Sequence, residues 1–197
     1  YITIITTYPD IFSMYLCACR AHLTCKEGTM QNLRKFTVIG ILFVSVAGTL
    51  LHFVYDWSGQ NPLVGFFAPV NESTWEHMKL LFFPMLLYGL VAVPKLKSAY
   101  PFLPCAYGEG ILLGLLLIPT LFYTYSGILG FSVPPVDIAI FYISVIAAFL
   151  LCARKTKRAQ KKQLTCPKWE ERLLILSLLL FFAGFVFFTA TPPDLGI

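Results

Sequence analysis

The chain has 197 residues, of which 57 % are hydrophobic and only 13 % are charged, and its formal net charge is +5. A soluble domain carries about 25 % charged residues. The composition therefore excludes an intrinsically disordered chain, disfavours a water-soluble globule and indicates an integral membrane protein.

Five long apolar segments follow one another along the chain. A bilayer core of about 30 Å needs about 20 apolar residues per helix, and continuous rather than alternating apolar runs favour helices over barrel strands. We predict an all-α, polytopic transmembrane helix bundle with five spans, at about 36–55, 73–93, 110–133, 135–153 and 173–191. Residues 30–197 are predicted to form a single membrane domain. Residues 1–29, which precede Met30, are interpreted as a poorly ordered extension or a wrongly assigned start.

Basic residues indicate the orientation of these spans. Lysine and arginine concentrate in the short loops on the cytoplasmic side of a membrane. All 15 basic residues except Lys79 lie before the first span, between the second and third, or between the fourth and fifth. The sequence therefore predicts a multi-pass protein of the cell (plasma or inner) membrane, with its N-terminus inside and its C-terminus outside.

The longest basic run, residues 154–172, lies between two predicted membrane spans. Its simplest interpretation is a determinant of topology, and such runs also attract anionic lipid headgroups. So short a loop leaves little room for a folded basic face, so nucleic acid is not a predicted partner. The predicted partner is the lipid bilayer, and an oligomer is compatible with the sequence.

The cysteines all fall on the predicted cytoplasmic side. Thiols in the cytosol are kept reduced, so we predict that no disulfide forms. The residues concerned are Cys17, Cys19, Cys25, Cys105, Cys152 and Cys166.

Ionisable side chains concentrate on the predicted outer side, where a cluster of five lies within 26 positions: His52, Asp56, Glu72, Glu76 and His77. His52 and Asp56 are four positions apart and share one helix face, as do Glu72 and Glu76. A histidine that faces lipid is costly, so His52 should point into the bundle. The loop 58–71 that joins the two halves of the cluster is partly apolar and is predicted to fold back over it.

Three interpretations of this cluster fit the sequence, and the first is structural. Ser73 and Glu76 match a capping box at the start of the second span, with Asn71 as the alternative cap. His52 would then be a polar link between the first two spans.

The second interpretation is a binding site. Two imidazoles and several carboxylates suit a divalent metal such as zinc, or a small polar ligand, and an open metal position would allow hydrolysis. Adjacent residues on a helix point about 100° apart, so Glu76 and His77 cannot easily face one ion together. Whether the chain is an enzyme stays open at this point.

The third interpretation is a proton-translocating or ion-translocating component, because intramembrane histidine and glutamate often serve as relay groups. The middle of the predicted spans offers hydroxyl groups but no carboxylate. Five spans also do not divide into two equal repeats, which disfavours a secondary transporter.

Two stretches of the sequence resemble a family signature. They are His52–Gly59, which reads HFVYDWSG, and Pro69–Pro84, which reads PVNESTWEHMKLLFFP. Together with the threonine and prolines at 191–193, they resemble a family of uncharacterised small bacterial integral membrane proteins. The resemblance implies a membrane protein that begins near Met30, and it implies no activity.

Overall fold

The computed structural model describes the backbone of residues 8–191 and the side chains of residues 32–191. Within that part of the chain all regular structure is α-helical, so the predicted all-α class is confirmed. The helices are α1 (Tyr8–Trp57), α2 (Pro62–Gly65), α3 (Thr74–His77), α4 (Lys79–Leu96), α5 (Leu103–Leu129), α6 (Pro134–Lys161) and α7 (Lys168–Ala190).

Five helical segments of the described residues are long and apolar enough to cross a bilayer, which confirms the predicted number of spans. Several extend further than their apolar core, because a helix keeps its backbone hydrogen bonds whether or not its side chains are apolar. The fourth, for example, continues through its basic C-terminal turns. The segments are Asn32–Trp57, Thr74–Leu96, Leu103–Leu129, Pro134–Lys161 and Lys168–Ala190.

Residues 1–36 and 37–197 form two compact units. The prediction about residues 1–29 falls on residues that the structure does not describe, or describes by backbone alone, so it stays a prediction. The candidate site described below lies within the second unit.

Small residues bring α5 close to its neighbours. A Cβ atom on Gly110 would lie 2.7 Å from the backbone oxygen of Ala148 on α6, and one on Gly114 would lie 2.8 Å from Leu81 on α4. Glycine at these two positions therefore permits the close helix approach that is common in membrane bundles.

The spans of the second unit bring two sets of helix ends together. We call one set the histidine end, where the C-termini of α1, α5 and α7 meet the segment 72–77 and the N-terminus of α6. At the opposite end, which we call the basic end, Lys155 donates to Glu109 across 2.5 Å. The prediction that the histidine end faces outward depends on the basic loops at the other end.

Cys105 and Cys166 are joined by a disulfide at the basic end, with their Cα atoms 5.7 Å apart. The prediction that no disulfide forms is therefore wrong for this pair. The prediction placed both cysteines on the cytoplasmic side of the membrane and assumed that thiols there stay reduced. In the structure the segment after α6 returns to the start of α5, where the backbone N–H of Cys166 donates to the oxygen of Pro101 (3.3 Å). Proximity thus brings together two cysteines that are 61 positions apart.

Candidate functional site

The start of the second span is fixed by side-chain caps. Ser73 is the N-cap of α3, and its hydroxyl accepts from the backbone N–H of Glu76 (3.3 Å). The N–H of Ser73 donates to the side chain of Asn71 (3.0 Å) and not to Glu76. Asn71 and Ser73, the two residues predicted as caps, thus each accept a backbone hydrogen bond. The capping box is only half formed, because Glu76 does not accept from the N–H of Ser73.

The carboxylate of Glu76 is free for another role because it does not complete the capping box. Its Oε2 accepts from Lys79 Nζ (2.6 Å) and from the backbone N–H of Val70 (3.0 Å). Lys79 also donates to the oxygen of Gly65 (2.9 Å) and to the hydroxyl of Thr189 on α7 (2.6 Å). Glu76 and Lys79 are both buried. A buried charge is tolerated when it is paired and hydrogen-bonded, and this network meets both conditions.

Lys79 and Thr189 are residues of this network that the sequence analysis missed. The available signal was that Lys79 is the one basic residue outside the three segments predicted to be cytoplasmic, and that it comes three positions after Glu76. The loop 58–71 packs against only part of the predicted cluster, because Gly65 and Val70 contact the Glu76–Lys79 pair. No residue of this loop lines the cavity beside the histidines, which is described below.

Three of the predicted site residues come together on the other side of α3. Nε2 of His77 lies 3.3 Å from Oε2 of Glu72. The rings of His52 on α1 and His77 on α3 have centroids 5.4 Å apart. One potential ligand atom from each of His52, Glu72 and His77 lies within 4.8 Å of the other two. We call these three residues the histidine triad.

The other two predicted candidates lie outside this triad. Glu76 is adjacent to His77 and points elsewhere, as the 100° step of a helix requires. The side chain of Asp56 is exposed, although it shares a helix face with His52.

The hydrogen bonds of His77 define which ring nitrogen can act as a ligand. Its Nδ1 lies 2.9 Å from the backbone oxygen of Ser73. A carbonyl oxygen only accepts, so we assign the proton to Nδ1. In the neutral ring Nε2 then turns a lone pair toward the carboxylate of Glu72, and such an arrangement requires a cation between them, either a proton or a metal ion.

His52 carries a similar unmet requirement. Its Nδ1 is buried and has no hydrogen-bond partner among the described residues. A buried polar atom without a partner is unfavourable by about 1–3 kcal/mol. The triad therefore includes a buried ring nitrogen that no described residue satisfies.

A cavity of about 510 Å³ opens beside the triad, between α1, α5 and α6. Its polar lining includes the triad together with Thr49, Asp137 and Tyr142, and the hydroxyl oxygens of Thr49 and Tyr142 lie 3.0 Å apart. Most of the remaining lining is apolar, including Leu80, Ile118, Phe122, Ile140 and Phe141.

Asp137 is a further acidic residue of this cavity that the sequence analysis did not connect with the histidines. It accepts a short hydrogen bond from the hydroxyl of Tyr125, and that hydroxyl in turn accepts from the backbone N–H of Val133 (3.0 Å). The turn between α5 and α6 thus fixes the carboxylate. Its position in the first turn of a span was the only signal in the sequence.

The sequence matches a known protein family. Residues 25–197 match DUF6512, a family of unknown function. The chain belongs to DUF6512. No curated protein and no solved structure matches it. The predicted resemblance to an uncharacterised family is thus confirmed at the level of a family of unknown function, and the proposed signature stays a prediction. DUF6512 membership assigns no chemistry, so any function must be inferred from the site.

Proposed function

We propose that this DUF6512 protein is a multi-pass protein of the cell membrane that binds a divalent metal ion, preferentially Zn²⁺, through His52, Glu72 and His77 on the outer side. The observation that carries the proposal is the grouping of three ligand atoms, from three different places in the chain, within 4.8 Å of one another. Two imidazoles and one carboxylate are a common ligand set for a zinc ion that keeps one position open.

The distances suit a metal site after a small adjustment. Zinc lies about 2.0–2.2 Å from nitrogen and oxygen ligands, so ligand atoms of a tetrahedral site are about 3.4 Å apart. His77 and Glu72 are already 3.3 Å apart. The side chain of Glu72 is 83 % exposed, so it is free to rotate toward an ion that the two histidines hold.

The second contact of His77 supports the same function. Histidines that bind metal ions usually donate their other ring N–H to a carbonyl or carboxylate, which fixes the orientation of the ring. The contact from Nδ1 of His77 to the oxygen of Ser73 (2.9 Å) has this form. It leaves Nε2 directed at the position where the ion would bind.

The charges around Glu72 and Glu76 distinguish the histidine triad from the neighbouring Glu76–Lys79 pair. The carboxylate of Glu76 is neutralised by Lys79 at 2.6 Å, whereas the ionic contact of Glu72 is with His77, which carries charge only when protonated. A divalent ion would supply the positive charge that Glu72 lacks. Coordination through Nδ1 of His52 would also satisfy that unpartnered nitrogen.

The test is elemental analysis of purified protein from which any histidine tag has been removed, since a tag binds zinc by itself. We expect about one zinc per chain in the wild type, as three protein ligands define one ion, and a loss of that zinc in His52→Ala. Asp56→Asn is the matched control, because Asp56 shares a helix face with His52 but is exposed. Equal metal content in wild type and His52→Ala, or no metal after zinc loading, would refute the proposal.

A structural role is supported for the remaining members of the cluster. Asn71, Ser73 and Glu76 accept backbone hydrogen bonds at the start of the second span, and Glu76 is paired with a buried lysine. These contacts fix the start of the second span beside the triad.

A further inference from the structure

We propose that the cavity beside the histidine triad binds an amphipathic ligand from the bilayer, with its apolar chain between α1, α5 and α6 and an anionic oxygen head group at the metal ion. This inference rests on the proposed metal site and names the class of ligand that would complete it. It is argued from the size, lining and opening of the cavity.

The cavity is much larger than a metal site requires. Its volume of about 510 Å³ lies in the range of about 300–1,000 Å³ that is usual for small-molecule sites. It reaches as far as Ile118, eleven positions before the end of α5 at Leu129. At about 1.5 Å per residue this is about 16 Å, or half of the hydrocarbon thickness. The deepest lining residue on α5 therefore lies near the middle of the bilayer, and the cavity has room for an apolar chain in addition to a polar group.

The lining favours an apolar body for that ligand. Leu80, Ile118 and Phe122 line the cavity beyond the triad. A small hydrophilic ligand would leave these side chains facing water, which costs about 25 cal/mol for each Å² of apolar surface. A hydrocarbon chain would cover them.

The opening of the cavity lies between two helices. Phe53 on α1 and Ile138 on α6 line it and are 45 % and 58 % exposed. Deeper along the same pair of helices, the hydroxyl groups of Thr49 and Tyr142 are 3.0 Å apart and close the gap. Because α1 and α6 are both span-like helices, an opening between them faces the lipid. This geometry allows a chain to enter from the bilayer.

Charge defines the head group. A divalent ion bound by Glu72 and two neutral histidines has one net positive charge and one open tetrahedral position. An anionic oxygen, as in a phosphate or carboxylate, would complete the coordination and neutralise that charge. Asp137 also lines the cavity, but its carboxylate is an acceptor that is already hydrogen-bonded to the hydroxyl of Tyr125 and cannot bind an anion, so the open metal position is the anion-binding part of the site.

Binding is measured by native mass spectrometry on the full chain in a non-ionic detergent, with zinc loaded and its content determined separately. The probes are dodecyl phosphate, dodecanoate, inorganic phosphate and dodecanol. We expect dodecyl phosphate or dodecanoate to bind at least about tenfold more tightly than either inorganic phosphate or dodecanol, a difference of about 1.4 kcal/mol or more.

Two tryptophan substitutions at exposed positions of α6 distinguish the effect of filling the cavity from the effect of adding bulk elsewhere on the helix. Ile138→Trp fills the opening, whereas Ile143→Trp adds the same bulk at a position that is 52 % exposed and does not line the cavity. Ile138→Trp should weaken binding of the amphiphile at least about tenfold and leave the zinc content unchanged. Ile143→Trp should bind like the wild type.

The outcomes distinguish this inference from the proposed function. Equal amphiphile binding in Ile138→Trp and wild type would overturn the inference, and so would inorganic phosphate binding as tightly as dodecyl phosphate. In both cases an unchanged zinc content would leave the metal site standing. Amphiphile binding that is the same with and without zinc would overturn the placement of the head group on the metal ion.

Discussion

Two groups of ionisable residues meet at the segment 72–79 of this protein, and they differ in how fully the protein satisfies them. The Glu76–Lys79 pair is buried and has hydrogen bonds to Gly65, Val70 and Thr189. The histidine triad, whose His77 follows Glu76 in the chain, leaves Nδ1 of His52 without a partner among the described residues. The comparison teaches that ionisable residues clustered in sequence can divide into a closed structural network and an open acceptor site.

Disruption of the Glu76–Lys79 network should lower the free energy of unfolding more than any other change considered below. Lys79→Met would leave the carboxylate of Glu76 buried without its cation, and we expect a loss of about 3–5 kcal/mol in the free energy of unfolding. Thermal unfolding in detergent measures this loss. The double variant Glu76→Gln/Lys79→Met should recover most of the stability, because it removes both charges. A single variant as stable as wild type would show that the pair is dispensable.

The next effect comes from breaking the open site. His77→Ala should weaken zinc binding by at least about 100-fold, because it removes a ligand and not merely a residue that orients one. Competition with a chromophoric zinc chelator measures the affinity. The unfolding temperature should change little, since His77 is not part of the Glu76–Lys79 network. A large loss of stability with unchanged zinc affinity would reverse the roles that we assign to the two groups.

Loss of the helix cap at Ser73 should have a smaller effect, and it tests whether stability and zinc binding are independent. Ser73→Ala removes the hydroxyl that caps α3 but keeps the backbone oxygen that contacts His77. We expect a loss of about 0.5–2 kcal/mol in the free energy of unfolding, as for other helix caps, and an unchanged zinc affinity. Denaturation and chelator competition on the same preparation test both parts. Reduced zinc affinity at unchanged stability would contradict this separation.

The smallest expected effect is at the deep end of the cavity. Tyr142→Phe removes the hydroxyl that meets Thr49, and polar contacts between membrane helices contribute about 0.6 kcal/mol on average. Chemical denaturation should show a loss of that order. A loss above about 2 kcal/mol would exceed the usual range for such contacts and would indicate that this link, rather than apolar packing, holds α1 against α6.

Much of the fold could be predicted from the sequence because lipid imposes simple requirements. Long uncharged segments that begin near Phe36, Gly110 and Leu173 admit few structures other than helices, since every backbone group must be satisfied within the span. The spacing of Ser73 and Glu76 likewise predicted a cap, and only one of its two hydrogen bonds forms.

The parts that the sequence did not predict depend on contacts between distant residues. Nothing in local spacing pairs Lys79 with Thr189, which is 110 positions away. The cavity with Asp137, and the link between Cys105 and Cys166, likewise arise only when α5, α6 and the following segment pack together. Composition and periodicity specify which residues enter a helix, but the choice of partner is made by tertiary packing.

The bond between Cys105 and Cys166 has a consequence for how the cavity can widen. It joins the start of α5 to the segment after α6, and the turn at 130–133 joins the same two helices at their other ends. These helices therefore form a covalent ring whose sides are tied at top and bottom. We therefore expect any widening that admits a lipid chain to come from movement of α1 or of the segment 72–80 against this ring. Cleavage of the backbone in the turn at 130–133 would leave two fragments that stay linked by the disulfide until it is reduced.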